Sequence, residues 1–201
     1  NEIPEESRVF DAGAGSSPYR QYFNGHDYQC CDAFDIRGVT YLADLHSLPI
    51  IDAAYDTVIC TQVLEHVQYP QRVLEELYRV LRPGGKLYLT APQGWGLHYE
   101  PYNFFNFTRY GLDLLFKDVG FQVESIRERG GVFWYLGKRL RSLVPYLYIQ
   151  RNGLGKVFMF SVFLFTAPLL RYTLPMTMYY LDVLDKKQGY TLGYACVCTK
   201  P

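Results

Sequence analysis

Nine residues near the start, Val9-Phe10-Asp11-Ala12-Gly13-Ala14-Gly15-Ser16-Ser17, constrain the fold more than any other stretch of the chain. An apolar run ends in a carboxylate, and two glycines and two serines follow. That order predicts a buried strand that stops in a tight turn, with a helix starting near Ser16 or Ser17. Gly13 and Gly15 lack Cβ atoms, so a ligand can approach the backbone closely there. Asp11, at the strand end, is badly placed for a core and well placed to accept hydrogen bonds or to face a cation. A glycine pair alone is weak evidence, and a plain strand-to-helix turn is the alternative.

The rest of the chain supplies a context for that turn. Ser17–Phe23 is expected to be a short helix with Pro18 in its first turn. Asp27–Asp32 reads as a second strand, again ending in a carboxylate. Ala33–Gly38 is too short for a helical crossover before the next extended piece, Val39–Leu42, so a helix is reduced to a loop or the pairing is unusual. Ala43–Pro49 is a loop and Tyr55–Cys60 a buried strand. Gln71–Leu81 places Val73, Leu74, Leu77, Val80 and Leu81 on one helical face, and Arg82-Pro83-Gly84-Gly85 stops it. Strands follow at Lys86–Ala91, Phe121–Arg127 and Tyr190–Thr199, with a helix over Arg109–Val119 capped by Thr108 and ended by Gly120. Strands alternating with helices imply an α/β domain with a mostly parallel sheet.

Composition narrows the function classes. Twenty basic residues balance twenty acidic ones, so nothing steers the chain to nucleic acid. The five cysteines (Cys30, Cys31, Cys60, Cys196, Cys198) fit neither a zinc site nor a disulfide framework, which suggests a reducing, cytoplasmic setting. The sequence opens on Asn1 rather than Met, as expected of a processed or trimmed form, and no signal peptide is visible in it.

In open α/β sheets ligands bind beyond the carboxyl ends of the strands. Those ends present Asp11 with its glycines, Asp32, Asp44, and the segment Thr61-Gln62-Val63-Leu64-Glu65-His66. Asp32 stands at a distance after the glycine turn that suits a carboxylate gripping ribose hydroxyls. The ordered series VFDAGAGSS, CCD, ADLHSLP, YDTVICTQVLEHV, LRPGGKLYLTAP and a late GF resembles the class I S-adenosylmethionine-dependent methyltransferases of the type 11 group, over residues 8–127. The resemblance implies a Rossmann-like seven-stranded sheet whose last strand is antiparallel. It also implies S-adenosyl-L-methionine as cofactor. Asp11, Ala12, Gly13 and Gly15 would line its methionine part, and Asp32 would hold the ribose. Asp44 and the Leu45 backbone would meet the adenine, with Thr61 and Gln62 beside them. Ser17 stands where the family's third glycine is usual, and the helix after strand two is nearly absent.

The aromatic loop from Leu97 to Tyr110 follows the fifth strand and is expected over the methyl group. It resembles a methyltransferase subset tied to glycan and cell-envelope synthesis. His98 in this loop is the candidate general base, with His66 its rival. No metal-ligating cluster is evident, so the expected reaction is metal-independent methyl transfer, at oxygen, to a small-molecule or glycan- or lipid-linked acceptor. The competing reading is a catalytically silent cofactor-binding module.

Two parts are expected: a cofactor-binding core over 1–131 and 189–201, and an apolar helical insertion over 132–188. Within the insertion, Val157–Leu170 is fourteen residues without a charge, shorter than a span of roughly 20. A buried seam in a homodimer is one reading. The other is peripheral membrane contact, helped by Lys138, Arg139, Arg141 and Arg151.

Overall fold

The computed structural model describes residues 3–4, 6–34, 38–147 and 154–201. They form two compact units, Asn1–Arg127 with Gly193–Pro201, and Glu128–Leu192.

The first unit is built on a seven-stranded sheet: β1 (Arg8–Ala12), β2 (Asp27–Asp32), β3 (Tyr41–Leu42), β4 (Tyr55–Thr61), β5 (Leu81–Pro92), β6 (Gln122–Glu128) and β7 (Gly193–Thr199). Their order across the sheet is β3-β2-β1-β4-β5-β7-β6. The pairs from β3 through β5 are parallel, and β7 runs antiparallel to β5. This is the mostly parallel α/β sheet with an antiparallel last strand that the sequence implied. The chain leaves β1 towards β2 on one side and returns to β4 on the other. The carboxyl ends of β1 and β4 are therefore the switch point of the sheet, the place where ligands of such sheets bind.

Apolar burial explains the positions. Val9, Phe10 and Ala12 of β1 and Val58 and Cys60 of β4 are fully buried, as expected for central parallel strands covered on both faces. Phe10 stacks on Tyr55 with ring centroids 5.0 Å apart. Helix α1 (Pro70–Val80) buries Val73, Leu74, Leu77 and Val80 completely, the face its spacing predicted. Helix α2 runs Arg109–Val119: the Thr108 hydroxyl accepts from the Gly111 N–H at 3.1 Å, and Gly120 ends it in a left-handed conformation. All five cysteines are free and buried, and burial pushes the Cys31 thiol up to about 11 and that of Cys196 up to about 12.

The structure departs from the sequence reading in several places. The helix expected over Ser17–Phe23 is a single 3-10 turn, Arg20–Tyr22. Ser17 has φ +53°, and a residue before proline is kept out of the right-handed helical region. Too few residues then remain before the turn at Asn24-Gly25 to nucleate an α-helix. Arg82–Gly85 does not lie between helix and strand. It belongs to β5, whose register against β4 shifts between the pairs Tyr55–Leu81 and Thr57–Lys86. The shift is a bulge, anchored by a Gly84 N–H to Lys200 carbonyl bond of 2.7 Å. The third and seventh strands are shorter than expected, starting at Tyr41 and Gly193. β2 and β3 pair in parallel despite their short connection, part of which (residues 35–37) lies outside the described residues.

The second unit is helical: α3 (Val132–Leu147), α4 (Leu154–Pro168), a wide turn over Leu169–Thr173, and α5 (Leu174–Leu181). Two aspartates beyond α5 cap the start of α3. Asp182 accepts from the N–H groups of Gly131 and Trp134 at 2.7 and 2.9 Å, and Asp185 from that of Val132 at 2.7 Å. Trp134 meets Tyr179 edge to face at 5.2 Å. Among the described residues no helix is long and apolar enough to cross a membrane. Arg151 lies outside the described residues.

Candidate active site

The β1 turn folds against β2. The N–H groups of Gly13 and Ala14 both donate to the Cys31 carbonyl, at 2.9 and 3.0 Å. The next donor, the Gly15 N–H, reaches Asp32 Oδ2 at 2.9 Å, while the Phe34 N–H reaches Asp32 Oδ1 at 3.0 Å. The Asp32 carboxylate is thus oriented at both oxygens by backbone, with lone pairs left for a ligand. A Cβ on Gly15 would meet nothing within 4 Å among the described residues, so none of these crowds the turn. Gly13 differs: its φ is +73°, and a Cβ there would come within 2.5 Å of a Val63 methyl. Its missing side chain makes room for the turn after β4.

Asp11 and Ala12, at the end of β1, are buried. The Asp11 carboxylate accepts a hydrogen bond from the Tyr28 hydroxyl. Burial raises its pKa, opposed by that bond and by the Arg20 charge. Arg20 itself lies over the Tyr28 ring, 4.8 Å from its centroid. Tyr28 was not singled out by the sequence, because nothing local links it to Asp11.

Asp44 and Leu45 follow β3 on the same side of the sheet. The Asp44 Oδ1 accepts from the His46 N–H at 2.9 Å and sits 2.6 Å from His46 Nδ1; the backbone bond is the main cause holding its carboxyl below the usual range. Leu45 turns its side chain into the core. Thr61 ends β4, and Gln62 follows at φ +55°, its side chain bonded to the Thr90 hydroxyl at 3.1 Å.

Beyond Gln62 a 3-10 turn, Leu64–His66, carries a second group of side chains. Glu65 is fully buried, and among the described residues neither carboxylate oxygen has a hydrogen-bond partner. Burial pushes this carboxyl up to about 7. The His66 Nε2 lies 3.9 Å from Glu65 Oε1. His98, from the loop after β5, stands edge to face with His66 at 4.8 Å. The same loop crosses over Glu65, whose carbonyl accepts from the Phe104 N–H at 2.8 Å. Tyr99 reaches Phe34, next to Asp32, with ring centroids 6.3 Å apart. The aromatic loop therefore connects the histidine pair with the Asp32 corner. Ligand atoms of Glu65, His66 and His98 all lie within 4.8 Å of one another, a grouping hidden in the sequence because His98 arrives on a separate loop. Glu65 was named there only as part of its segment. Its place among the apolar Val63, Leu64 and Val67 was the available signal for burial.

A family model described as a methyltransferase domain matches residues 10–89, which include the end of β1, β2, the β4 turn and most of β5. The chain has the class I S-adenosylmethionine-dependent methyltransferase fold. Curated relatives match over short stretches. The thiol S-methyltransferase TMT1B of Mus musculus is 49% identical over 49 residues, covering 22% of this chain and 20% of that protein. The ubiquinone/menaquinone biosynthesis C-methyltransferase UbiE of Desulfotalea psychrophila is 36% identical over 93 residues, covering 45% of this chain and 32% of that protein. The match thus spans a third or less of the length of these relatives. Among solved structures, the [4+2]-cyclase SpnF superposes with a TM-score of 0.63 at 18% identity, over 99% of this chain and 76% of that one. The 1,6-didemethyltoxoflavin N1-methyltransferase of Burkholderia thailandensis, solved with S-adenosylhomocysteine, gives 0.56 at 19% identity, over 62% and 64%. These likenesses concern the methyltransferase fold, which a cyclase shares.

Proposed function

We propose that the chain binds S-adenosyl-L-methionine and transfers its methyl group to a small-molecule acceptor. The observation that carries this reading is the Asp32 carboxylate, pinned by the Gly15 and Phe34 N–H groups beside an open glycine turn. A carboxylate so held suits two adjacent ribose hydroxyls, each donating to one oxygen. The residues present fit the cofactor: Asp32 would hold the ribose, the Gly13–Gly15 turn the methionine part, and Asp44 with the Leu45 backbone the adenine. The sulfonium carbon of the bound cofactor supplies the electrophile. The protein's part is to align an acceptor, keep water out and take up its proton. His66 and His98 are the groups placed for the last task, with the Glu65 carboxyl between them and the core.

The acceptor atom is proposed to be sulfur, with oxygen second. Matches to thiol S-methyltransferases from mouse, rat and human support sulfur; the histidine pair would serve an S–H or an O–H acceptor alike. The helical unit supports an apolar acceptor or a membrane-bound one: Phe165 and Val183 are 82% and 81% exposed. Calorimetry with S-adenosylhomocysteine, then transfer of labelled methyl to matched panels of thiols and alcohols, tests the reading. Micromolar binding and labelled thioether are expected. No binding refutes the cofactor assignment, and labelled ethers without thioethers refute sulfur. Co-sedimentation with anionic vesicles tests the membrane association; a dimer by light scattering that stays in the supernatant refutes it.

A further inference from the structure

We propose that Glu65, His66 and His98 form a binding site for one divalent first-row transition cation of the zinc type. The inference rests on the geometry of these three side chains and not on the methyl-transfer reading.

Two independent observations meet here. The first is the donor set. His66 Nδ1 lies 2.5 Å from the Tyr102 carbonyl oxygen, and His98 Nδ1 lies 2.9 Å from that of Gly96. A carbonyl oxygen only accepts, so each imidazole must carry its proton on Nδ1. Both Nε2 atoms then hold lone pairs. A backbone carbonyl fixing the tautomer from behind is the usual support of a metal-binding histidine. The second observation is Glu65. Its carboxylate is wholly buried and, among the described residues, both oxygens lack a hydrogen-bond partner, an arrangement that costs free energy whether the group is charged or neutral. A cation offsets that cost directly.

The distances allow it. His66 Nε2 lies 3.9 Å from Glu65 Oε1, and one ring nitrogen of each histidine and a Glu65 carboxylate oxygen all lie within 4.8 Å of one another. Ligands at about 2.1 Å from a tetrahedral ion are roughly 3.4 Å apart, so small side-chain rotations close the set. Two neutral imidazoles and one carboxylate suit zinc, iron(II), cobalt(II) or manganese(II) better than calcium or magnesium, which prefer all-oxygen sites. Three protein ligands leave at least one coordination position open, the arrangement of reactive rather than structural metal sites. A bound cation takes up both Nε2 lone pairs, so the histidine pair can act as a base only in the metal-free chain; with the ion in place, the open position would take an anionic sulfur or oxygen of a small molecule.

The test uses the full chain stripped with a chelator. Titration with zinc chloride in a calorimeter should give one site per chain. Cobalt(II) should give the intense visible bands of a four- or five-coordinate ion. Glu65→Gln and His98→Ala should each weaken zinc binding by at least about tenfold, the size of effect seen for losing even an outer partner of a metal ligand. His26→Asn, outside the cluster, should leave binding unchanged. Absence of stoichiometric zinc binding by the unsubstituted chain, a six-coordinate aqua-type cobalt spectrum, or full retention of affinity in His98→Ala would each overturn the proposal. His98 stands on a loop, so its variant folds whatever happens to Glu65→Gln. Binding of S-adenosylhomocysteine is read separately, so failure of this site and failure of the cofactor assignment are distinguishable.

Discussion

Replacing Gly13 with alanine tests whether the glycine turn is shaped by its ligand or by the neighbouring turn. The new Cβ would lie 2.5 and 2.9 Å from the two Val63 methyls, closer than real carbon contacts. Holding an alanine at φ +73° costs about 1–2 kcal/mol. Forcing an extra carbon against a packed side chain adds about 1–3 kcal/mol. Gly13→Ala should therefore destabilise the protein by roughly 2–5 kcal/mol. Gly15→Ala has a similar backbone cost at φ +52° but no described atom within 4 Å of the methyl, and should lose only about 1–2 kcal/mol. Val63→Ala removes the two clashing methyls and leaves only the residue-63 Cβ at 3.3 Å, so in the double variant most of the steric part should vanish. The coupling energy between positions 13 and 63 should be about 1–3 kcal/mol, of restoring sign. Urea unfolding of the four variants and the parent, followed by circular dichroism, measures all of these. A Gly13→Ala variant within about 0.5 kcal/mol of the parent, the usual scale for a harmless change, would refute the reasoning. So would strict additivity with Val63→Ala.

Three further outcomes are expected. Asp32→Asn should weaken S-adenosylhomocysteine binding about ten- to a hundredfold, since hydrogen bonds to a charged group are worth roughly 1.5–3 kcal/mol; unchanged affinity in a folded variant would remove Asp32 from the ribose. The Asp11 carboxyl has its pKa raised by burial, so its stabilising contribution is complete below its unfolded pKa and is lost as pH rises through the folded one. Asp11→Asn should flatten that fall, and identical urea midpoints for variant and parent at pH 4.5 and pH 8 would refute the burial argument. Asp182→Ala removes two backbone bonds at the start of α3 and should destabilise the helical unit by about 1–2 kcal/mol; unaltered amide exchange in α3 would show that Asp185 alone suffices.

Legibility in the sequence followed the range of the interactions. Helix α2 was readable to the residue because both of its stops are local: a threonine hydroxyl turned back on its own third N–H and a glycine in the left-handed region. The Ser17–Phe23 segment carries a conflicting signal: Pro18 suits the first turn of a helix, but it also keeps Ser17 out of the right-handed helical region, and that effect wins. The start of β5 was misplaced because the Arg82–Gly85 bulge exists only through pairing with Tyr55 and Lys200, both remote in sequence. In the site, the carboxylates at strand ends were visible, since strand end and charge are both local features. The Tyr28–Asp11 bond, the contact of Gly13 with Val63 and the meeting of Glu65 with His98 were not. Each depends on which turns the sheet order brings together.

The sheet order also bears on the sequence of events in folding. β7 comes later in the chain than every other strand, yet it lies between β5 and β6. As the chain leaves the ribosome, strands β1 to β5 can pair in turn, but β6 has no neighbour until Gly193–Thr199 emerges. For the time needed to synthesise the 65 residues of the helical unit, β5 presents an open edge of unpaired backbone groups. Such edges are templates for association with other chains. The antiparallel strand is thus more than a late addition to a finished sheet. Its insertion ends the interval in which the nascent domain is exposed to aggregation, and the length of the helical unit sets how long that interval lasts.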